Sequence, residues 1–250
     1  MIDLDDAIET AVRGFSFVRS RKRPYRANII GDIWVLRDDP RSDRRKTEVF
    51  AHSAPPEETV RQIRSSVPEW HFLCYVHTDP GEFSAIRNQF KTLGYRALAT
   101  EWLFARETNG SPKISSDPPV RRIVEIADAE LVKKANGRTE IENKYLGMDD
   151  APQRLYAAIA GETVYGWVSS IPVGKNSWVS NLYVPKEQRR QGFGRALMSY
   201  LLRDDYAYGI ENSVLLASKD GAQLYPHVGY LPMGTLQIFC PASRLPYLFT

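Results

Sequence analysis

The chain has 250 residues, which is long for one hydrophobic core and comfortable for two domains of ordinary size. Hydrophobic residues make up 43% and charged residues 25%, a balance that excludes general disorder. A net charge of +3, without dense Lys/Arg patches and interleaved aromatics, excludes a dedicated nucleic-acid binder and leaves room for a modest anionic ligand.

Cys74 and Cys240 are the only cysteines, and His52, His71, His77 and His227 have no zinc-type spacing, so neither a metal site nor a disulfide framework is expected. The start Met1-Ile2-Asp3-Leu4-Asp5-Asp6 is acidic where a signal peptide is basic, and no apolar run is long enough to span a bilayer. The expectation is a cytoplasmic protein that engages no membrane.

In chain order, a short helix is expected over Leu4 to Val12, followed by a basic run from Arg19 to Arg26 that reads as a solvated face. Strands are expected at Ile29 to Leu36 and Thr47 to Ala51. Pro55-Pro56-Glu57-Glu58 then opens a helix to about Ser66, with proline in the first turn and acidic residues at its positive end. A buried strand (His71 to His77), a helix from Gly81 to Leu93 ending at Gly94, and a strand (Thr100 to Arg106) complete an α/β order.

Asn109 to Pro119 has the strongest linker composition in the sequence and marks the expected domain boundary. This gives an α/β domain over 1–108, a linker over 109–119 and a second domain over 120–250. The second domain opens with an expected strand, Val120 to Ile126, and a helical segment from Asp128. Three strands follow, Arg154 to Ala160, Val164 to Ile171 and Ser177 to Val184, joined by tight turns at Gly161-Glu162 and Gly174-Lys175 as an antiparallel meander. After the meander come a helix (Gly194 to Leu202), a strand (Ser213 to Ser218), a helix (Asp220 to about His227), a turn at Gly229 and a last strand near Leu236 to Cys240.

The stretch between meander and helix, Arg189-Arg190-Gln191-Gly192-Phe193-Gly194-Arg195-Ala196, concentrates the chemistry. Two glycines one residue apart, where a strand hands over to a helix, let the backbone turn tightly and present several N–H groups to one point. The helix dipole and Arg189, Arg190 and Arg195 add positive potential, so a pyrophosphate suits the spot. A plain strand-to-helix turn with a solvated basic face is the alternative reading. The spacing fits neither a P-loop nor a dinucleotide fingerprint, whose third glycine would stand where this chain has Ala196 and Leu197.

This stretch resembles the acyl-CoA loop of the GNAT superfamily of N-acetyltransferases, Arg/Gln-x-x-Gly-x-Gly/Ala, met by Arg189, Gly192 and Gly194. Gly166 in Val164-Tyr165-Gly166-Trp167-Val168, the strand end Leu182-Tyr183-Val184-Pro185, and Ala222 through Tyr225 to Gly229-Tyr230 are similar to further segments of that superfamily, in the same order. The resemblance covers about half the chain, residues 120–240. It implies a GNAT fold of the α/β (α+β) class, a mixed central sheet flanked by helices, in tandem with a smaller or degenerate α/β domain.

It also implies acetyl-CoA as acyl donor, bound along the backbone of Leu182, Tyr183 and Val184, with its pyrophosphate on Gln191 to Ala196 and its arm near Ser218, which reads equally well as a helix cap. The implied chemistry is direct attack by a primary amine of a small molecule or peptide, which needs removal of a proton, stabilisation of an oxyanion and protonation of the leaving thiolate. Tyr225 stands where the family often carries its general acid, the alternative being a half-buried packing tyrosine. No ordinary base stands on the strand before the loop, which offers Trp178, Ser180 and Asn181. Glu140 and Glu142 are fallback candidates, with solvated surface carboxylates as the preferred reading of both. A non-catalytic acyl-CoA-binding module that has lost its base is therefore the competing function. Oligomeric state is not legible.

The first half also reads as a decayed copy of the same unit. Phe90 to Tyr95 resembles Tyr225 to Tyr230, while His52-Ser53-Ala54-Pro55-Pro56-Glu57-Glu58 stands where a phosphate loop would need bare N–H groups.

Overall fold

The computed structural model describes residues 2–42, 44–110 and 115–242. The described chain folds into two compact units, each drawn from separated stretches. The first gathers residues 1–14, 105–215 and 221–231, and the second gathers 15–104, 216–220 and 232–250. The cut expected at 109–119 falls inside the first unit, and residues 111–114 of that segment lie outside the described residues.

In the second unit, β1 (Tyr25–Ile30) and β2 (Ile33–Asp38) form an antiparallel hairpin where one strand was expected over Ile29 to Leu36. The unread signal was Gly31-Asp32, with Gly31 at φ 58°, a conformation that lets a two-residue turn reverse the chain. β3 (Thr47–His52), α2 (Pro56–Ser66) and β4 (His71–His77) form a β-α-β crossover whose parallel ladder is continuous from Thr47↔His71 to His52↔Val76. α3 (Phe83–Thr92) and β5 (Tyr95–Glu107, whose residues up to Phe104 lie in this unit) follow. The sheet takes its next strand from the far end of the chain: β11 (Leu231–Pro241) pairs antiparallel with β4, Ile238 opposite Cys74. Val35, Val49, Ile63, Leu73, Phe90 and Phe239 share one core there.

The first unit holds the meander. β6 (Val120–Arg122) is shorter than expected because α4 (Ile126–Asn136) starts two residues early. β7 (Arg154–Ala160), β8 (Thr163–Val173) and β9 (Asn176–Tyr183) pair antiparallel in succession, and α5 (Phe193–Ala207) leads to β10 (Asn212–Ala217), which runs parallel to β9. β7 is buried on both faces. Leu155, Ala157 and Ile159 join the α4 core, with Val132, Ile141 and Trp167, and the alternate residues Arg154 and Tyr156 meet α5.

That second face is polar but paired. The Arg154 guanidinium donates to Asp205 at 2.7 Å, Ser170 donates to the same carboxylate at 2.8 Å, and the Tyr156 hydroxyl donates to Asp204 at 2.7 Å. Burial pushes the Asp205 carboxyl up, against the pull of Arg154, Ser177 and Ser170. These bonds fix the C-terminal end of α5 on the sheet.

α1 (Leu4–Arg19) is longer than the expected Leu4 to Val12, and its residues up to Gly14 belong to the first unit. It buries Ala7, Ile8, Ala11 and Val12, the i, i+3, i+4 stripe of an amphipathic helix, and Gly14 brings its backbone against the indole of Trp178. The expected helix from Asp220 to His227 is instead two 3₁₀ turns, Gly221–Gln223 and Tyr225–Val228, because Pro226 has no N–H to donate and Gly221 favours no helix.

Candidate functional site

Two local devices open β9. Its ladder with β10 holds three pairs, Asn176↔Asn212, Ser177↔Ser213 and Val214↔Trp178, and ends there, so from Val179 onward the β10 side of β9 has no ladder partner among the described residues. On the β8 side the register shifts: Ser169 faces Ser180 and Trp167 faces Tyr183, so Asn181 and Leu182 together oppose Val168. This is a β-bulge, and Asn181 takes the left-handed conformation at φ 54° that such a bulge requires, one that asparagine tolerates better than most side chains. The strand is turned out of the sheet just where its outer edge is unpaired.

Gly166 lets this happen at close quarters. A Cβ there would stand 2.8 Å from the Tyr183 carbonyl oxygen and 3.1 Å from Val184 Cγ2, so only glycine lets β9 cross β8 so closely. Trp167 is buried and stacks against the exposed Tyr183 ring, 4.8 Å between centroids, which places an aromatic face at the strand's open end.

The glycine turn follows through a 3₁₀ turn at Lys186–Gln188. Arg190 at φ 66° and Gly192 at φ 90° are both left-handed, and Gly192 caps α5. Nothing stands within 4 Å of where a Gly192 Cβ would be, so this glycine answers to backbone conformation and leaves open space before the helix N-terminus. Gly194 answers to packing, with Leu224 Cδ2 3.1 Å from where its Cβ would be, and that contact brings the Tyr225 segment onto the first turn of α5.

The expected loop residues divide by role. Gln191, Gly192, Gly194 and Arg195 lie at the open face of the turn, where the N–H groups of Phe193, Gly194 and Arg195 head the helix. The Phe193 side chain is buried on Tyr165, 5.1 Å between centroids, so only its backbone can meet a ligand. Ala196 is buried and its N–H already donates to the Gly192 carbonyl, which removes it from the cradle. Arg189 turns back, its Nε donating to the Val184 carbonyl at 3.1 Å, and so ties the turn to the end of β9, while Arg190 is exposed. Leu182 and Val184 are half-buried on the splayed strand. Ser218 is exposed and falls in the 216–220 stretch of the second unit.

Tyr225 is buried at 6% exposure, edge-on to Tyr230 at 5.6 Å, and burial pushes its phenol up to about 12. Tyr230 is anchored in turn by a 2.7 Å bond between its hydroxyl and that of Ser213. Trp178, on the strand where a base was sought, is buried under α1 and serves packing.

Glu140 departs from the expected solvated carboxylate. It is 2% exposed, with Asn136 and Arg138 donating to Oε1 and Asn181 donating to Oε2 at 3.0 Å. Its carbonyl accepts from Gln153, which also donates to Ser169 on β8. Glu142 is half-buried and paired with Lys144. A cavity of about 580 Å³ in the first unit lies at the other end of β9, lined by Asp3, Asp6, Lys175, Asn176 and Glu211 and by none of the loop residues.

Residues 151–232 match the family model of the acetyltransferase (GNAT) domain. No curated protein matches the sequence. Among solved structures, a GCN5-related N-acetyltransferase from Kribbella flavida aligns with a TM-score of 0.65 at 15% identity, covering 98% of each chain. A GCN5-related N-acetyltransferase from Sphaerobacter thermophilus aligns with a TM-score of 0.54 at 15% identity over 94% of this chain and 91% of that one. A tandem GNAT protein from the clavulanic acid biosynthesis pathway aligns with a TM-score of 0.52 at 12% identity over 97% of each. At such identities the structural likenesses bear on the fold. The chain has the GNAT fold, and the stretch matched by the family model lies in its C-terminal half. Among the described residues, no helix is long and apolar enough to cross a membrane.

Proposed function

We propose that the protein transfers an acetyl group from acetyl-CoA to a primary amine, by direct attack with both substrates bound. The observation that carries this reading is the join of two features on one strand: β9 loses its partner after Trp178, bulges at Asn181, and runs into a donor-bearing turn at Gly192 with open space before it. An extended pantetheine arm can bond the backbone of Leu182 to Val184 as an added strand, and the helix N-terminus can hold the pyrophosphate. Acetyl-CoA supplies an activated thioester. The protein's residues align it, exclude water, and in Tyr225 hold a protonated phenol beside the turn for the leaving sulfur.

The acceptor is an amine-bearing small molecule or peptide. No nucleic acid, membrane or metal enters the reading, and compartment is proposed as cytoplasmic.

One observation favours a second reading, a non-catalytic acyl-CoA-binding module. Trp178 is buried under α1, Ser180 and Asn181 carry no base, and Glu140 already accepts three donors. A panel of primary amines assayed by free-thiol release separates the two. Thiol release that depends on added amine supports the enzyme, whereas acetyl-CoA binding with no amine-dependent release across the panel supports the module.

A further inference from the structure

The β9 bulge is held by a residue far from it in sequence. A left-handed residue in a strand costs roughly 1–2 kcal/mol for an L-amino acid, so it persists only where its surroundings fix it. Asn181 is that residue, and its half-buried side chain is tied down: Nδ2 donates to Glu140 Oε2 at 3.0 Å. Glu140 is immobilised in turn. Asn136 and Arg138 hold its other oxygen, and Gln153 binds its carbonyl and reaches Ser169, the partner of Ser180 beside the bulge. The loop after α4 is thereby tied to β9 at the bulge and to β8 at its Ser169–Ser180 flank.

We infer that Glu140 is a positioning residue for the acyl donor: its carboxylate clamps Asn181 and so keeps the backbone of Leu182 to Val184 turned outward along the unpaired side of β9. This inference rests on the function proposed above and adds a residue to it. Glu140 acts through Asn181, and with both oxygens occupied it is not the base. A carboxylate is the right group for the task. It accepts charge-assisted bonds from three donors on its two oxygens, whereas a carboxamide accepts on one oxygen only and its NH2 group would face a donor.

The test uses the full chain. Calorimetry of acetyl-CoA binding is combined with amide exchange across the Ser169–Ser180 and Trp167–Tyr183 pairs in the ligand-free protein. Glu140→Ala is expected to speed exchange there and weaken acetyl-CoA binding by about 10-fold, the size expected when the one charge-assisted bond that reaches the bulge is lost. Asn181→Gly keeps the left-handed backbone without the side chain, guards against a folding defect, and should weaken binding comparably. The double variant should be no worse than Glu140→Ala, because the Asn181 contact is already lost there. Glu140→Gln, able to bond Asn181 after that amide turns over, should restore most of the affinity and leave the pH profile of turnover unchanged. Additive effects of the two substitutions would overturn the clamp. So would loss of turnover in Glu140→Gln with intact acetyl-CoA binding and a missing acidic limb, which would make Glu140 a base. If the wild type binds no acetyl-CoA yet exchange responds as stated, the clamp stands and the proposed function falls.

Discussion

The carbonyl oxygen of Tyr183 lies 2.8 Å from the point where a side chain on Gly166 would begin, so the end of β9 takes its course from the absence of one atom on β8. Backbone cannot yield there as a flexible side chain could. Gly166→Ala should push the Leu182–Val184 segment outward and weaken acetyl-CoA binding by at least about 10-fold, at a stability cost of roughly 1–3 kcal/mol typical of overpacking. Calorimetry on the folded variant, with a thermal melt alongside, checks it. Unchanged affinity would mean that the course of β9 does not matter to the ligand.

Gly192 makes a different demand. There is room for a side chain, but φ is 90°, so Gly192→Val forces a β-branched residue into a left-handed cap and fills the space before the helix N-terminus. Acetyl-CoA affinity should fall by about 100-fold or more, since the cradle loses both its shape and its access. Calorimetric affinity equal to wild type would remove the glycine turn from the site.

Tyr225→Phe keeps the ring on Tyr230 and deletes the hydroxyl, so kcat should fall by about 100-fold with acetyl-CoA affinity little changed. Burial raises this phenol to about 12, so it stays protonated across neutral pH and contributes no falling limb to the rate below about pH 11. The same shift bears on stability with a definite sign. A phenol at about 12 in the folded chain and about 10 when unfolded stabilises fully below pH 10, and that contribution disappears between pH 10 and 12. Tyr25 and Tyr95, also raised to about 12 by burial, act in the same direction. Far-UV circular dichroism through that window should show cooperative alkaline unfolding, and Tyr225→Phe should shift it upward. Turnover at the wild-type level would assign Tyr225 to packing.

The chain should bind one acetyl-CoA. In the second unit the β3–β4 ladder runs unbroken through six pairs, from Thr47↔His71 to His52↔Val76, where β9 and β10 stop at three, and α2 opens on Pro55, Pro56, Glu57 and Glu58. That crossover offers neither an open strand nor a row of N–H groups, and its glutamates repel phosphate. Titration of the intact protein should give one site, and two would show that the first half retains its own cradle.

Cutting the chain in the 109–119 segment should not release two working halves. Residues 1–110 would lose β11, leaving β4 without the partner that buries Phe239 against Leu73 and Phe90, and residues 120–250 would lose the helix that covers Trp178. Both fragments should be insoluble or molten when expressed alone and recover on co-expression, checked by size-exclusion chromatography and near-UV circular dichroism. A soluble, cooperatively folded fragment from either side would contradict the interleaved units.

Much of the site was legible because it is written locally. The Gly192-x-Gly194 turn, the meander before it and the tyrosine four residues before Gly229 depend on backbone freedom and on spacing within single elements, whereas the contact of Leu224 with Gly194 that brings the Tyr225 segment onto α5 is tertiary. The sequence likewise showed the prolines and glutamates that open α2. Tertiary structure alone decided three other matters. It placed the last strand in the unit of β4, because any extended segment can complete a ladder and only the burial of a particular face selects one. It covered Trp178 with α1, through a glycine whose role appears only when the indole is against it. It also turned Glu140 from an expected surface carboxylate into the buried partner of Asn181, a contact across 41 positions of sequence that no local pattern encodes.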